Sequence, residues 1–327
     1  MFNHDKNLHW VILSATASLL FICHSLQSET VYVHQTSHTY HIRSTEHSSA
    51  ISYNNSAYQG KRIKHSALEL YDRFRSRFQL FPAEKNNLQV DMIYGISMKS
   101  RHSYAVQKLK YLNSAFKIFS AITPKDLTKD DYIKYSATYN ETNQQFNRWR
   151  NVYGKLTKLP VSISFFMCYF DAYLNDYKSI AVFEDDIMFN ATVSDINTAI
   201  FELTAADHQL LYLGYCHIQC EAARKKGRKL SNLLFKLHDR TRAVCNHALI
   251  WRRELLRKFM ERDSVVYWTH TNDNTLDLWT QDQHISKVVT KYDFVSQDRD
   301  NMGSFNANGW TSKSAEKKFK TKCDFVN

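Results

Sequence analysis

Three adjacent carboxylates, Glu184, Asp185 and Asp186, end an apolar run that begins at Ile180. The run has the length and composition of a buried strand. Carboxylate oxygens are the ligands that a hard divalent cation prefers, and such a cation can bridge the phosphates of a nucleotide. The motif therefore indicates a metal-assisted nucleotide-sugar site. A polar cap between a strand and a loop is the alternative interpretation.

Segments that predict strands alternate with segments that predict helices, which indicates an α/β domain with a mostly parallel central sheet. The predicted strands are Val90–Met98, Ser179–Phe183, Gln209–Tyr215, an apolar stretch at Ala243–Trp251 and Tyr292–Gln297. The predicted helices are Ser66–Leu80, His102–Phe119, Ser162–Leu174, Val193–Leu203 and Arg252–Glu261. In such sheets ligands bind beyond the carboxyl ends of the strands, which is where the carboxylates fall.

Length, composition and charge exclude several classes of protein. The 327 residues suffice for one large core, and only seven are Gly and three Pro. Neither a Walker-type loop nor a dinucleotide glycine fingerprint is present.

The net charge of +11 is spread along the chain, and its densest cluster is Arg224–Lys229. We interpret that cluster as a solvated loop, with contact to an anionic ligand or membrane as the alternative, and we expect no specific nucleic-acid binding.

The stretch from Leu8 to Leu26 contains no Asp, Glu, Lys or Arg and is long enough for a tilted membrane helix. We expect a signal anchor at residues 1–27, a stem at 28–87 and a catalytic domain at 88–327, in a single-pass type II arrangement. A cleaved signal peptide is the alternative. The expected location is the lumen of the Golgi or the endoplasmic reticulum.

The acceptor sequons support a location in the lumen, whereas the cysteines neither support nor oppose it. Acceptor sequons begin at Asn54, Asn140 and Asn190. Cys23 lies in the apolar stretch, so five cysteines remain outside it, and at least one of these should be free. A zinc site at Cys216 and Cys220 is disfavoured because no second pair matches their spacing.

Five segments occur in an order that resembles glycosyltransferase family 25, the lipopolysaccharide and collagen galactosyltransferase type. They are IYGISMKSR (Ile93–Arg101), VFEDDI (Val182–Ile187), LLYLGY (Leu210–Tyr215), HALIWRRELLRKF (His247–Phe259) and FVSQDRDNMGS (Phe294–Ser304). The resemblance covers roughly Val90 to Phe305. It implies a GT-A-like nucleotide-sugar-binding fold and a metal-dependent transfer of a hexose, with inversion, from a UDP-hexose such as UDP-galactose to a glycan, lipid or protein acceptor.

The resemblance and the analogy with the Asp-x-Asp motif of GT-A enzymes assign residues to the donor side. Asp186 and Glu184 would hold the metal, manganese with magnesium as the alternative. Glu184 and Asp185 would contact the donor, and Arg101 would add charge stabilisation, although a surface role for Arg101 is favoured over this one.

An inverting transfer also needs a carboxylate that takes the proton from the acceptor hydroxyl. Asp282 resembles the late aspartate of the family, Asp277 is nearly as good a candidate and Asp273 is the third. Each of the three would serve equally well as a helix cap or an exposed loop residue.

One segment departs from the family pattern. The family has Gly-Cys and then Ser-His at the start of a helix before the acidic motif, whereas this chain has LPVSISFFMCYF (Leu159–Phe170). Ser162 or Ser164 matches the serine, and no histidine follows either. A catalytically inactive, glycosyltransferase-like binding or adhesion protein is therefore the alternative hypothesis.

The Asn190 sequon lies four residues beyond Asp186, where a glycan would obstruct a donor cleft. In an active protein we expect the sequon to be unused, or the side chain to point away from the metal. A site-resolved glycopeptide map checks this, and full occupancy in an active preparation would contradict it.

Overall fold

The computed structural model describes short strands between residues 30 and 53, and then residues 63–135, 158–215, 217–218, 226–238, 241–262, 265 and 272–298. The chain divides into two compact units, Met1–Arg73 and Phe74–Asn327. No helix in the described ranges is long and apolar enough to cross a membrane. The predicted anchor at Leu8–Leu26 lies outside those ranges.

The first unit contains short antiparallel pairs. Its strands are β1 (Thr30–Val31), β2 (Val33–Thr36), β3 (Thr39–Ile42), β4 (Ser52–Tyr53) and β5 (Ile63–Lys64). β1 pairs with β5, and β2, β3 and β4 form a small sheet. Helix α1 (His65–Phe74) follows, ending earlier than the helix predicted over Ser66–Leu80 because a short 3-10 turn, Arg75–Arg77, and then a strand succeed it.

The second unit alternates strands and helices. Its helices are α2 (His102–Lys110), α3 (Lys129–Tyr135), α4 (Lys158–Leu174), α5 (Val193–Ala205), α6 (Arg253–Met260) and α7 (Asn272–Asp282), with 3-10 turns at Lys99–Arg101 and Pro124–Asp126. Its strands are β6 (Phe78–Phe81), β7 (Met92–Ser97), β8 (Phe116–Ser120), β9 (Ser179–Glu184), β10 (Ile187–Phe189), β11 (Leu210–Gly214), β12 (His217–Ile218), β13 (Arg228–Lys229), β14 (Leu234–Lys236), β15 (Ala243–Val244), β16 (Ala248–Arg252), β17 (Val288–Thr290) and β18 (Val295–Gln297).

A nine-stranded sheet in the order β13-β14-β17-β11-β16-β9-β7-β8-β6 forms the centre of this unit. Its parallel pairs are β7 with β8, β7 with β9, and β11 with β17, whereas the other neighbours are antiparallel. The α/β class is confirmed, and the prediction of a mostly parallel sheet is wrong. The sheet is mixed because β16 runs antiparallel between β9 and β11, and antiparallel strands need no crossover helix to join them.

Both faces of the sheet are covered, which explains why its central strands are apolar throughout. Ile180, Ala181, Val182 and Phe183 of β9 are each 0% exposed. Helices α2 and α5 pack on one set of strand residues, while α4 and α6 contact β7, β8 and β16. A strand covered on both faces loses the alternation of apolar and polar residues.

The helix predicted over His102–Phe119 is wrong in its second half. Helix α2 ends at Lys110, Asn113 adopts a left-handed conformation with φ 44°, and β8 begins at Phe116. Leu112 and Phe116 are both buried in the core, so their apolar spacing mimicked one helical face although they lie on a turn and a strand.

Gly214, the last residue of β11, allows β18 to approach closely. A Cβ at this position would overlap the Val295 carbonyl oxygen and the His247 ring. His247 Nε2 lies 3.2 Å from the same Val295 carbonyl oxygen, so the three residues form one tight contact. This contact holds β18 beside the carboxyl end of β11.

We therefore expect Gly214→Ala to destabilise the protein by about 1–3 kcal/mol, the usual cost of overpacking. Chemical denaturation of both proteins measures the difference. Ser194→Ala, on the exposed face of α5, is the control and should change the free energy of unfolding by less than about 0.5 kcal/mol. Equal stability of Gly214→Ala and the parent would contradict the proposed contact.

Candidate functional site

The predicted carboxylates lie at the shared edge formed by the carboxyl ends of β7 and β9. These strands are parallel neighbours, with Ile96 opposite Glu184 in the register. The Glu184 N–H donates to the His247 carbonyl oxygen at 3.0 Å, which ties β9 to the chain that enters β16. Residues that follow the strands are thereby gathered on one side of the sheet, where α/β proteins bind their ligands.

Asp185 connects the two strand ends. Its buried carboxylate accepts the Met98 N–H at 2.8 Å, the Arg101 guanidinium at 3.3 Å and the Ser97 hydroxyl at 3.5 Å. Asp185 and Arg101, which were both expected to contact the donor, are paired with each other. Because its oxygens are already used within the protein, Asp185 fixes the geometry of the turn.

Glu184 lies among other carboxylates. Its Oε2 accepts a hydrogen bond from Gln297 Nε2 at 3.2 Å. Burial raises the pKa of Glu184 well above its ordinary value, and the negative charges of Asp186, Asp185 and Asp273 raise it further. A carboxyl group in this setting favours either a proton or a bound cation.

Asp186 is fixed through its backbone to the end of β18. The Asp298 N–H donates to the Asp186 carbonyl oxygen. The Asp298 carboxylate in turn accepts the Tyr104 hydroxyl and lies 3.9 Å from Lys108 Nζ. β10 and β18 also pair in an antiparallel register, so the acidic loop between β9 and β10 is supported by a strand more than a hundred residues later in the chain.

A cavity of about 210 Å³ opens beside Glu184. Its described lining residues are Lys158, Val161 and Phe165 of α4, Glu184, Cys245, Asn246, Asn272, Asp273 and Gln297. The cavity therefore lies between the start of α4, the start of α7 and the ends of β9 and β18. The sequence singled out only Glu184 and Asp273 of this group as candidates.

The three candidate bases on α7 lie in different surroundings. Asp273, in the first turn, lines the cavity with Glu184. Asp282 is exposed at the last turn, about 14 Å along the helix at 1.5 Å per residue. Neither Asp282 nor Asp277 is among the described residues that line the cavity.

Asp277 is 0% exposed and forms a buried cluster of charge-assisted contacts. Its carboxylate pairs with Lys287 Nζ, accepts Arg242 Nε at 3.0 Å and the Ala243 N–H at 3.2 Å, and accepts Gln281 Nε2 at 2.8 Å. Lys287 is 0% exposed as well. With its oxygens engaged by these donors, Asp277 anchors α7 to β15 and β17.

The oxygen donors suit a hard divalent cation, because Glu184 lies in the field of Asp186 and Asp273 and such a charge would stabilise its ionised form. Within the described part of the chain, no three His, Cys, Asp or Glu side chains form a preassembled metal cluster. Phosphate oxygens of a nucleotide would complete the coordination of a cation held by two carboxylates.

Ser162 and Ser164 of α4, either of which could match the family's serine, are both buried. Ser164 Oγ donates to the Pro160 carbonyl oxygen at 2.8 Å and accepts the Ile122 N–H at 2.9 Å. The next residue, Phe165, lines the cavity. Phe165 and Val161 make this wall of the cavity apolar, and α4 contains no histidine.

Asn190 is exposed and its side chain faces β18. Its Nδ2 donates to the Asp293 carbonyl oxygen at 3.2 Å and to the Ser296 hydroxyl at 3.0 Å. A glycosylated amide nitrogen keeps only one N–H, so it could not make both bonds. Occupancy of this sequon stays a prediction, and the sequons at Asn54 and Asn140 lie outside the described residues.

Two cysteines are described. Cys168 is free and buried in α4, as expected from the odd number of cysteines. Cys245 is disulfide-bonded and lines the cavity, with a left-handed φ of 73°. Cys216 and Cys220 lie outside the described residues.

The contacts of Asp185 predict a structural effect. Asp185→Ala should destabilise the protein by about 1–3 kcal/mol, because the Met98 N–H and the Arg101 guanidinium lose a buried acceptor. Thermal and chemical unfolding measure the loss. The control Glu254→Ala, at an exposed position of α6, should stay within about 0.5 kcal/mol of the parent. A parental stability for Asp185→Ala would contradict the bridging role.

A comparison with known families gives one match. The model of glycosyltransferase family 25 (LPS biosynthesis protein) matches residues 91–262. No curated protein matches the chain. The matched segment contains β7, the carboxylates at the end of β9, Asn246 and α6. Because it covers more than half of the 327 residues and includes the edge at which the site is built, the chain belongs to glycosyltransferase family 25 and is a glycosyltransferase.

Proposed function

We propose that the protein transfers a hexose from a nucleotide sugar to an acceptor hydroxyl, with inversion, in the cavity beside Glu184. The observation that carries this proposal is the position of Glu184, which lies at the end of a central strand and lines the same cavity as Asp273. The α/β unit with a large mixed sheet supports a GT-A-like fold.

Glu184 and Asp186 would hold Mn²⁺, with Mg²⁺ as the alternative. When bound, the cation would neutralise charge on the departing diphosphate. Asp185 keeps both residues in place by joining β9 to the turn after β7. Gln297 orients the Glu184 carboxylate through its 3.2 Å hydrogen bond.

Asp273 replaces Asp282 and Asp277 as the proposed general base. It lines the cavity, whereas Asp277 is engaged by Lys287 and Arg242. One Asp273 oxygen accepts the Asn274 N–H at 3.0 Å. Asp273 would take the proton of the acceptor hydroxyl while the hydroxyl oxygen bonds to the anomeric carbon and the nucleoside diphosphate leaves.

The donor, acceptor and location belong to the proposal. The family supports a nucleotide-sugar donor and an acceptor; we propose a UDP-hexose, with galactose first, and a glycan, lipid or protein acceptor. The disulfide at Cys245 supports an oxidising compartment, as expected for the lumen of the secretory pathway. Membrane attachment through residues 8–26, with the catalytic domain in the lumen, is proposed from the sequence alone.

One observation favours the noncatalytic alternative. Phe165 lines the cavity, α4 contains no histidine, and an apolar ring cannot donate a hydrogen bond to the donor. A binding or adhesion protein could keep the cavity without turnover. Release of nucleoside diphosphate by the full-length protein separates the two hypotheses.

The test of the base compares Asp273→Asn with Asp282→Asn and Asp277→Asn. We expect Asp273→Asn to lower kcat by about a hundredfold to ten-thousandfold with little change in donor affinity. Asp282→Asn should retain activity, while Asp277→Asn should lower stability because Lys287 keeps a buried charge without its partner. The assay measures nucleoside diphosphate released from a panel of nucleotide sugars with Mn²⁺ and an acceptor.

Asp186→Asn is the matched test of the donor side. Because Asp186 is a proposed metal ligand, we expect this variant to lose the turnover that Mn²⁺ supports in the parent. Full activity of Asp273→Asn together with loss of activity in Asp282→Asn would contradict this proposal and would identify Asp282, the first candidate from the sequence, as the general base. Absence of both turnover and nucleotide binding in the parent would favour the noncatalytic alternative.

A further inference from the structure

Asn246 has an unusual side chain for a buried residue. It is 2% exposed, and within the described part of the chain neither its amide nitrogen nor its amide oxygen has a hydrogen-bond partner. Buried amides are nearly always satisfied, so an amide that lacks partners on both atoms needs an explanation. Asn246 also lines the cavity beside Glu184, which offers one.

The lining of the cavity is amphipathic. Val161 and Phe165 of α4 contribute apolar surface, whereas Glu184, Asp273 and Gln297 contribute oxygen and nitrogen atoms. A pyranose ring has the same character, because its C–H groups form apolar patches and its hydroxyls lie around the rim. Apolar walls with a few placed polar groups are typical of small-molecule sites.

The size of the cavity fits a small ligand. Its volume of about 210 Å³ is below the range of about 300–1,000 Å³ that is usual for drug-sized ligands. A single sugar ring suits this space better than a complete nucleotide sugar. The nucleotide would then lie outside the described cavity.

We propose that Asn246 is the sugar-selecting residue of this site, and that it binds two adjacent hydroxyls of a neutral pyranose while Phe165 packs against the apolar face of the ring. The proposal rests on the proposed function and deepens it. An amide offers one acceptor and two donors, so it can accept from one hydroxyl and donate to its neighbour. Phe165 lines the same cavity and becomes part of the same sugar subsite.

The charges around the cavity determine which sugars fit. The cavity has two acidic groups, Glu184 and Asp273, and one basic group, Lys158, so a uronic or sialic acid would bring a like charge beside the two carboxylates. A neutral amide needs no charged partner. The site therefore accepts neutral hexoses and discriminates among epimers by the orientation of two hydroxyls.

The sugar has two sources, the donor and the acceptor, and the experiment separates them. The full-length protein is titrated with galactose, glucose, mannose and glucuronic acid by saturation-transfer NMR, with and without nucleoside diphosphate. The dissociation constant of each nucleotide sugar is measured beside that of the nucleotide alone. If the subsite binds the donor sugar, the nucleotide sugar should bind more tightly than the nucleotide alone. If it binds the acceptor sugar, free hexose should still bind to protein that is saturated with donor.

The variants are Asn246→Ala, Asn246→Asp and the control Asn175→Ala. Asn175 is an exposed residue just beyond α4, about 25 Å from Lys158 along the helix, and its side chain donates to the Asp171 carbonyl oxygen. We expect Asn246→Ala to weaken hexose binding by about tenfold to a hundredfold. Its melting temperature should equal or exceed that of the parent, because the lost amide had no partner.

A merely structural asparagine would give the opposite pattern, with a lower melting temperature and unchanged hexose affinity, and that result would overturn the proposal. If Asn246→Ala fails to fold, Asn246→Asp supplies the same comparison. Turnover by the parent with hexose affinity unchanged in the variants would reject the sugar-selecting role alone. A parent that binds no nucleotide sugar and releases no nucleotide would instead reject the proposed function.

Discussion

The Asp185 carboxylate joins the ends of two parallel strands, and the rest of the site is placed relative to that contact. Its bond to the Met98 N–H fixes the turn after β7 against the acidic loop after β9. Glu184 and Asp186, on either side of Asp185, then have little freedom of position. The middle carboxylate of the motif thus has a structural role, and its two neighbours are the proposed metal ligands.

The surroundings of Glu184 destabilise its ionised form in the folded protein. A partly buried carboxyl group beside Asp186, Asp185 and Asp273 is destabilised when it ionises, which is why its pKa is raised. Asn246 adds a buried amide without partners in the same cavity, which typically costs about 1–3 kcal/mol. Both destabilising groups, the Glu184 carboxyl and the Asn246 amide, line the same cavity, where a bound ligand would stabilise them. Residues that lower stability are typical of functional sites.

Short-range patterns predicted the elements well and their assembly less well. Strands β7, β9 and β11 and helix α5 were predicted within a few residues because their apolar spacing is local. β8 was missed because Phe116 continued the apparent helical face of α2. The mixed sheet could not be predicted, since the direction of β16 depends on how a long connection is folded. Likewise, Asp282 and Asp277 were favoured over Asp273 although all three share α7, because only the position of the helix start beside Glu184 distinguishes them.

The most direct test of a cation and nucleotide site at this edge is paramagnetic broadening of amide NMR signals by Mn²⁺ in the presence of nucleoside diphosphate. The account predicts that the side-chain signals of Gln297 and Asn246 and the Met98 amide broaden first. Asn175, about 25 Å away along α4, should keep its line width at the same Mn²⁺ concentration. Equal broadening at Asn175 and Gln297, or none at Gln297 under conditions that support nucleotide binding, would contradict the placement of the site.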